Sequence, residues 1–166
     1  FDEFQFFIGL SSISENAFNS CSGLTRLPIF PNSVTSIGKY AFLNCRGIIG
    51  ELTIPNSIIS IGYGAFTGCT GITGNLIIPN SVISIGEAAF HSCSGLTGSL
   101  VISNSVVSIG DYAFCNCYNI KGDLLIPSSV TTIGKSAFSF CYSLSGTLTI
   151  PDAVTSIGER AFYGCR

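Results

Sequence analysis

Charged side chains are scarce in this chain. Of its 166 residues, 10% are Asp, Glu, Lys or Arg, against roughly 25% in an average soluble protein. Seven Lys and Arg residues oppose nine Asp and Glu residues, which gives a formal net charge of −2. A nearly neutral chain lacks the basic surface that attracts nucleic acids and anionic membranes. We therefore expect neither nucleic acid nor a membrane surface as a partner.

Long apolar runs and a targeting segment are also missing. Apolar residues make up 46% of the chain, but Gly, Pro, Ser or Thr interrupts each apolar run within a few residues. A membrane-spanning helix needs about 20 consecutive apolar residues, so we expect no membrane insertion by this segment. The sequence begins at Phe1, contains no Met and shows no signal-peptide pattern. We expect it to be part of a longer or processed chain.

What the sequence does contain is a repeat of 24 residues. A phenylalanine recurs at this interval, at Phe18, Phe42, Phe66, Phe90, Phe114, Phe138 and Phe162. A cysteine follows each of them three positions later, at Cys21, Cys45, Cys69, Cys93, Cys117, Cys141 and Cys165. A fixed period of this size is typical of solenoids, in which each repeat forms one coil. We predict one domain over residues 1–166, with seven units that begin near residues 4, 28, 52, 76, 100, 124 and 148 and an incomplete last unit.

The first half of a unit has the pattern of extended chain. In the unit at residues 52–75, Leu52 and Ile54 flank a threonine, which is the period of a strand with one buried face. Pro55 ends this strand, because proline has no N–H for sheet pairing. A second, shorter extended piece follows and closes at Gly62. Glycine suits a turn with positive φ, so we predict such a turn here and at the equivalent glycines.

The second half of a unit has the spacing of a helix. Ala65, Cys69 and Ile72 are four and then three residues apart, which would place them on one helical face with Phe66 beside them. We therefore predict a short helical segment in each unit. Gly74 and its equivalents are predicted to end it.

A single unit cannot bury its own apolar side chains. Each side chain has to be covered by the matching residue of the next coil. Neighbouring strands lie about 4.8 Å apart, a spacing at which stacked phenylalanine rings attract one another. We predict a core of ladders, in which like side chains of successive coils meet.

The repeat resembles a known family. Its pattern, L-x-I-P-x-S-V-x-S-I-G-x-x-A-F-x-x-C-x-x-L, is similar to the BspA-like, or treponemal, leucine-rich repeat, and its copies cover essentially the whole chain. The resemblance implies an α/β solenoid, a right-handed coil with a parallel sheet on one face and short helical segments on the other. It also implies a surface or secreted protein that binds partners, and no enzyme. The first unit departs from the pattern, at Phe4, Phe6, Phe7 and Leu10 and with Ser14 in place of the turn glycine, so we predict that it is a cap or a joint.

The regular cysteines favour neither disulfides nor a metal site. A disulfide needs about 3.8 Å between two Cβ atoms, whereas equivalent side chains on adjacent coils are further apart and point in parallel. The cysteines also lack the paired short spacing of zinc ligands, to which Cys115 and Cys117 are a poor exception. We predict small buried thiols and no metal or cofactor.

One pair of residues has a catalytic interpretation. His91 and Cys115 both follow the ladder phenylalanine, so they are expected to stack on adjacent coils, and a Cys in contact with a His can become a nucleophile. No third, orienting group follows from the pattern. The same column holds unrelated side chains in other coils, namely Asn19, Leu43, Thr67, Ser139 and Tyr163. We favour chance adjacency and predict no catalytic residue.

The outward strand positions form the first candidate binding surface. Three consecutive members of this column, Ile77, Val101 and Leu125, are apolar. An exposed apolar strip is typical of an interaction site, although β-branched residues also suit strands for structural reasons alone. The whole column consists of Gln5, Ile29, Thr53, Ile77, Val101, Leu125 and Thr149.

The ends of the solenoid form the second candidate surface. The last unit keeps the internal pattern and lacks the polar change that is typical of a capping repeat. Either the natural chain continues past Arg166, or this end contacts the aromatic first unit of another copy. Head-to-tail contact of this kind gives a filament when the rotation does not close. The candidate contact residues are Phe4, Phe6, Phe7, Ala161, Phe162 and Cys165.

The sequence thus predicts a non-enzymatic extracellular or cell-surface scaffold for protein binding or adhesion. Its partner would be a protein or another surface ligand that the sequence does not name. The alternative is a structural subunit of an extracellular fibre that assembles end to end, with a second copy of the chain as the partner.

Overall fold

The computed structural model describes residues 9–166 as a β-solenoid of stacked coils. Within these residues it contains twelve short strands and no helix. In chain order the strands are β1 (Ser12–Ile13), β2 (Ser36–Ile37), β3 (Gly50–Thr53), β4 (Ser60–Ile61), β5 (Ile72–Ile78), β6 (Ser84–Ile85), β7 (Leu100–Ile102), β8 (Ser108–Ile109), β9 (Leu124–Leu125), β10 (Thr132–Ile133), β11 (Leu148–Thr149) and β12 (Ser156–Ile157).

The longest sheet is built from the shorter extended piece of each unit. Strands β1, β2, β4, β6, β8, β10 and β12 pair in this order, always in parallel. The register follows the repeat, so that Ile37 pairs with Ile61 and Ile61 with Ile85. The first strands of the units form a three-stranded sheet, β3-β5-β7, and a separate pair of β9 and β11. Each strand of these two sheets also pairs in parallel.

The predicted helical segments are wrong. After Gly62 the chain makes successive turns whose N–H groups alternate between two kinds of partner. Ala65 N–H donates to the Gly62 carbonyl of its own coil at 3.3 Å, whereas Phe66 N–H donates to the Ala89 carbonyl of the next coil at 2.8 Å. In an α-helix every N–H would donate to the carbonyl four residues earlier. The segment has exchanged helical hydrogen bonds for bonds between coils.

Left-handed residues make this exchange possible. Two positions of every turn segment have positive φ, such as Tyr40 at 55° and Asn44 at 55°. Residues of this conformation do not occur inside a right-handed helix. The helical spacing nevertheless identified the buried face, because Ala65, Phe66 and Cys69 are fully buried.

The turn glycines have a different role from the one predicted. Gly62 does not have positive φ. A Cβ atom at Gly62 would instead lie 2.9 Å from backbone atoms of Gly38 and Lys39 in the preceding coil. The missing side chain therefore allows adjacent coils to approach closely. The same clash with backbone would occur at Gly38, Gly86, Gly110, Gly134 and Gly158. Gly74, predicted to end a helix, has a φ of 77° but lies inside strand β5.

The phenylalanine ladder is confirmed. The rings of Phe66 and Phe90 are stacked, with their centroids 5.4 Å apart and their planes 7° apart. The same stacking runs from Phe18 to Phe162, with centroid distances of 5.0 to 5.5 Å. These distances lie within the attractive range for aromatic pairs. The core is thus continuous from coil to coil.

Candidate functional site

The predicted strip of Ile77, Val101 and Leu125 lies on the surface. These side chains are 53%, 49% and 59% exposed, respectively. Ile77 pairs directly with Val101 across strands β5 and β7. Their chain neighbours Leu76 and Ile78 are buried, because successive side chains of a strand point to opposite faces.

Open grooves follow the strip. One of about 480 Å³ is lined by Val101 and Leu125 together with the polar side chains of Asn104 and Asp123. A second groove of about 320 Å³ lies beside Ile77. Exposed apolar side chains and polar side chains thus line the same open grooves, and both kinds of residue occur at protein-binding surfaces.

The exposed apolar column is longer than the three-residue strip. Ile29 is also exposed and lines a groove of about 360 Å³ together with Thr53 and Glu51. Ile29 belongs to the outward column that the sequence identified. It was left out of the strip because Thr53 separates it from Ile77.

A second exposed apolar column was missed. Ile59, Ile83 and Val107 are all exposed and precede strands β4, β6 and β8. Their backbones are joined from coil to coil, since Ile83 N–H donates to the Ile59 carbonyl and Val107 N–H to the Ile83 carbonyl. The signal was present in the sequence, because the three residues recur at the repeat interval, each directly after an inward residue, namely Ile58, Val82 or Val106. We name these residues the second column.

The structure describes only one of the two surfaces of the candidate end-to-end contact. Phe4, Phe6 and Phe7 lie outside the described residues. At the other end Ala161 is buried, whereas Phe162 and Cys165 are half-buried and line a recess of about 180 Å³. The apolar side chains of Leu148, Ile150 and Ile157 are exposed in the same coil.

The pKa directions at His91 and Cys115 are opposite to those of an activated pair. Burial raises the pKa of the Cys115 thiol above its usual value, although a nucleophilic thiol needs a lowered pKa. Burial also lowers the pKa of His91. The Nδ1 atom of His91 is buried and has no hydrogen-bond partner among the described residues, so it makes no hydrogen bond with Cys115.

The cysteines of the described chain are all free thiols. Cys45, Cys69, Cys93, Cys117 and Cys141 are buried at the equivalent position of successive coils. Over residues 9–166, no three His, Cys, Asp or Glu side chains come together in a way that would hold a metal ion. No described segment forms a helix that would reach across a membrane.

A stack of coils with parallel strands, a leucine and isoleucine core and a fixed repeat defines a leucine-rich repeat solenoid. The model of the BspA type leucine rich repeat region matches residues 1–121 and 48–166, in six copies. The chain therefore belongs to the BspA-type leucine-rich repeat family.

Solved structures have the same fold. The chain is 31% identical to a T. pallidum leucine rich repeat protein, with a TM-score of 0.84, over 95% of this chain and 72% of the other. It is 32% identical to a leucine rich cell surface protein of Faecalibacterium prausnitzii A2-165, with a TM-score of 0.69, over 94% of this chain and 40% of the other. A Bacteroides ovatus leucine-rich repeat protein, 23% identical with a TM-score of 0.65, shares the fold over 94% of this chain and 45% of its own. No curated protein matches the chain.

Proposed function

We propose that this chain is a non-enzymatic scaffold outside the cell or at its surface, and that the strip of Ile77, Val101 and Leu125 binds a protein partner. The exposure of three apolar side chains in adjacent coils carries the proposal. Water contact with such a surface is unfavourable, and a partner that covers it gains the free energy of apolar burial.

Family membership and the grooves support this proposal. One similar protein is itself described as a leucine rich cell surface protein. The grooves beside the strip are also lined by the acidic side chains of Asp123 and Glu51. Polar groups at the rim of an interface fix the orientation of the partner, while the apolar centre supplies most of the affinity.

A charge placed in the strip tests the proposal. Val101→Lys should leave the fold intact, because the side chain is exposed, but should weaken partner binding by about tenfold or more, since an unpaired cation would be desolvated in the interface. The unaltered chain and the variant are immobilised and offered the same mixture of extracellular proteins. Each protein retained by the unaltered chain is then purified, and its Kd for both forms is measured.

The second column provides a matched control. Val107→Lys places the same charge on an exposed valine of the same repeat, in the column that the proposal does not use. A partner of the strip loses affinity for Val101→Lys and keeps it for Val107→Lys. Equal binding of all three forms would remove the strip from the function.

The alternative function, a subunit of an extracellular fibre, requires the last coil to contact the first coil of another copy. The side chains of Leu148, Ile150 and Ile157 are exposed in the last coil of the sequence and would lie in this contact. Apolar contact between two different surfaces extends without limit unless the rotation closes a ring.

The dependence of particle size on protein concentration distinguishes the two functions. A fibre subunit forms elongated particles in light scattering and negative-stain microscopy as its concentration rises, and Ile157→Lys should prevent this growth. A binding scaffold remains monomeric over the same range, and Ile157→Lys then leaves its affinity for a partner unchanged.

A further inference from the structure

Aromatic side chains and arginines form an exposed cluster on the turn segments of the solenoid, away from the strand columns. The rings of Tyr118 and Tyr142 are stacked, with their centroids 5.5 Å apart. Phe140 meets Tyr142 and Tyr163 edge to face, at 5.8 and 5.3 Å. Tyr118, Tyr142 and Tyr163 are 38%, 43% and 57% exposed. We define the aromatic-arginine patch as Phe140, Tyr118, Tyr142, Tyr163, Arg160 and Arg166.

The repeat does not require these aromatic residues. Tyr118 and Tyr142 occupy a position that is polar in the preceding coils, at Ser22, Arg46, Thr70 and Ser94. The fold forms equally well around those smaller or more polar side chains. Their rings stack on each other between adjacent coils, and they add an exposed aromatic surface that the other coils lack at this position.

Phe140 is the one aromatic residue at its position of the repeat. Its φ is 62°, in the left-handed region that every coil adopts at this position. The equivalent residues of the other coils are smaller, namely Ser20, Asn44, Gly68, Ser92, Asn116 and Gly164. Tyr40 and Tyr112 also have positive φ, so this conformation belongs to the fold. What distinguishes Phe140 is its edge-to-face contact with Tyr142 and Tyr163.

The patch carries positive charge. The guanidinium of Arg160 lies 5.9 Å from the Tyr163 ring centroid, and that of Arg166 lies 5.7 Å from the Tyr142 ring centroid. Arg160 also contacts Glu159, at 3.5 Å, but Glu159 is shared with Lys135, at 3.5 Å. Lys135 also lies beside Asp111, whose Oδ1 accepts the Lys135 backbone N–H at 2.6 Å. Of the two guanidinium groups in the patch, that of Arg160 is paired with a carboxylate, whereas that of Arg166 forms no ion pair with the described residues.

A second aromatic pair, nearer the start of the solenoid, lacks an excess of positive charge. Tyr40 and Tyr63 meet edge to face at 4.9 Å, and Lys39 lies over both rings, 5.3 and 5.7 Å from their centroids. Lys39 is paired with Glu15 at 3.7 Å. This pair has the rings and the cation of the patch, with the charge balanced inside it.

We propose that the aromatic-arginine patch binds an acidic segment of a partner protein. Tyrosine and arginine are the residues that most often dominate the energy of protein interfaces. The rings offer rigid apolar contact, and the guanidinium groups form charge-assisted hydrogen bonds with carboxylates. The patch shares no residue with the strip of Ile77, Val101 and Leu125 or with the grooves beside it.

A short fluorescent peptide that alternates Glu with Leu is the probe, and a peptide that alternates Lys with Leu is its control. Fluorescence polarisation with the full chain should show saturable binding of the acidic peptide, which weakens as salt rises because the contact is partly electrostatic. Arg160→Gln and Tyr142→Ala should each weaken binding by about tenfold. Arg46→Gln, at the ladder position equivalent to Tyr142, and Tyr63→Ala, in the balanced pair, should have no effect.

Phe140→Asn separates binding from folding. Asparagine tolerates positive φ, so this variant should unfold at the same temperature or a higher one and yet bind the acidic peptide about tenfold more weakly. A merely structural Phe140 would give the opposite result, lower stability with unchanged affinity.

Three results would overturn the proposal. One is equal affinity for the acidic and basic peptides, and another is loss of binding in the Arg46 and Tyr63 variants as well. The third is self-association in sedimentation experiments that Tyr142→Ala abolishes, without peptide binding, because the patch would then cover a second copy of the chain.

Discussion

The Sγ atom of Cys69 donates a hydrogen bond to the carbonyl oxygen of Phe42, in the preceding coil, at 3.0 Å. The same carbonyl accepts the N–H of Cys45, in its own coil, at 3.2 Å. A carbonyl oxygen has two lone pairs, so it can accept both bonds. The thiol therefore ties each coil to the one before it, next to the stacked rings.

This hydrogen bond recurs along the solenoid. It explains why the ladder position holds cysteine, which the size of the side chain alone does not explain. Alanine would also fit a small buried position, but it has no donor. The other thiol bonds, of 2.8 to 3.2 Å, join Cys45 to Phe18, Cys93 to Phe66, Cys117 to Phe90, Cys141 to Phe114 and Cys165 to Phe138.

Removing one interior thiol should measure this contribution. Cys93→Ala loses both the hydrogen bond to Phe66 and the buried sulfur atom, so the free energy of unfolding should fall by about 1 to 2 kcal/mol in urea denaturation. Cys21→Ala is the matched control, because Cys21 lies in the same ladder but is only half-buried. Equal losses for the two variants would contradict a role for the thiol bond.

Alkaline pH should destabilise the protein through the same thiols. Burial raises the pKa of Cys45 to about 11 and that of Cys69 to about 12, from 9.0. Above pH 9 the unfolded chain loses these protons while the folded chain keeps them, so the unfolded state binds fewer protons and stability falls as pH rises. Each buried thiol adds a slope of at most about 1.4 kcal/mol per pH unit until its folded-state pKa is passed.

A comparison of variants isolates the thiols from tyrosine and lysine, which titrate in the same range. Between pH 9 and 11, the free energy of unfolding should fall less steeply for Cys69→Ala than for the unaltered chain. Identical slopes in the two forms would show that Cys69 does not keep its proton in the folded state.

The repeat predicted which ladder side chains are buried in the interior coils. The spacing of Phe66, Cys69 and Ile72 depends only on the period, and the same set is fully buried in the structure. The exposure of Ile77 and Val101 followed from the alternation of a strand in the same way. Side-chain burial is set by a pattern that repeats along the chain.

The backbone conformation of the turn segments could not be predicted in the same way. A separation of four and three residues fits a helix, but it also fits successive turns that contain left-handed residues, as at Tyr40 and Asn44. The choice depends on carbonyls of the next coil, such as Ala65 O, which accepts the Phe42 N–H at 2.8 Å. Partners 23 residues away are invisible to local spacing. The aromatic-arginine patch was missed for a similar reason, since its rings come from three coils.

The turn glycines provide a test of close coil stacking. Gly86→Ala should lower the free energy of unfolding by about 1 to 3 kcal/mol, because its Cβ would lie 2.7 Å from the Ile61 carbonyl oxygen and 2.8 Å from the Gly62 carbonyl carbon. Gly23→Ala is the control, since a Cβ at Gly23 meets nothing within 4 Å and the residue has no positive φ. Gly23→Ala should be neutral or slightly stabilising. If Gly86→Ala and Gly23→Ala changed the stability equally, as measured by thermal and urea unfolding, the stacking role of Gly86 would be contradicted.

The interior of the aromatic ladder should contribute more to stability than its last member. Phe90 is fully buried and is stacked on both Phe66 and Phe114, so Phe90→Ala should cost about 3 to 5 kcal/mol in chemical denaturation. Phe162 is only half-buried and stacks on Phe138 alone among the described residues, so Phe162→Ala leaves less of a cavity and should cost clearly less. A loss below about 1 kcal/mol for Phe90→Ala would mean that stacked rings do not hold the coils together.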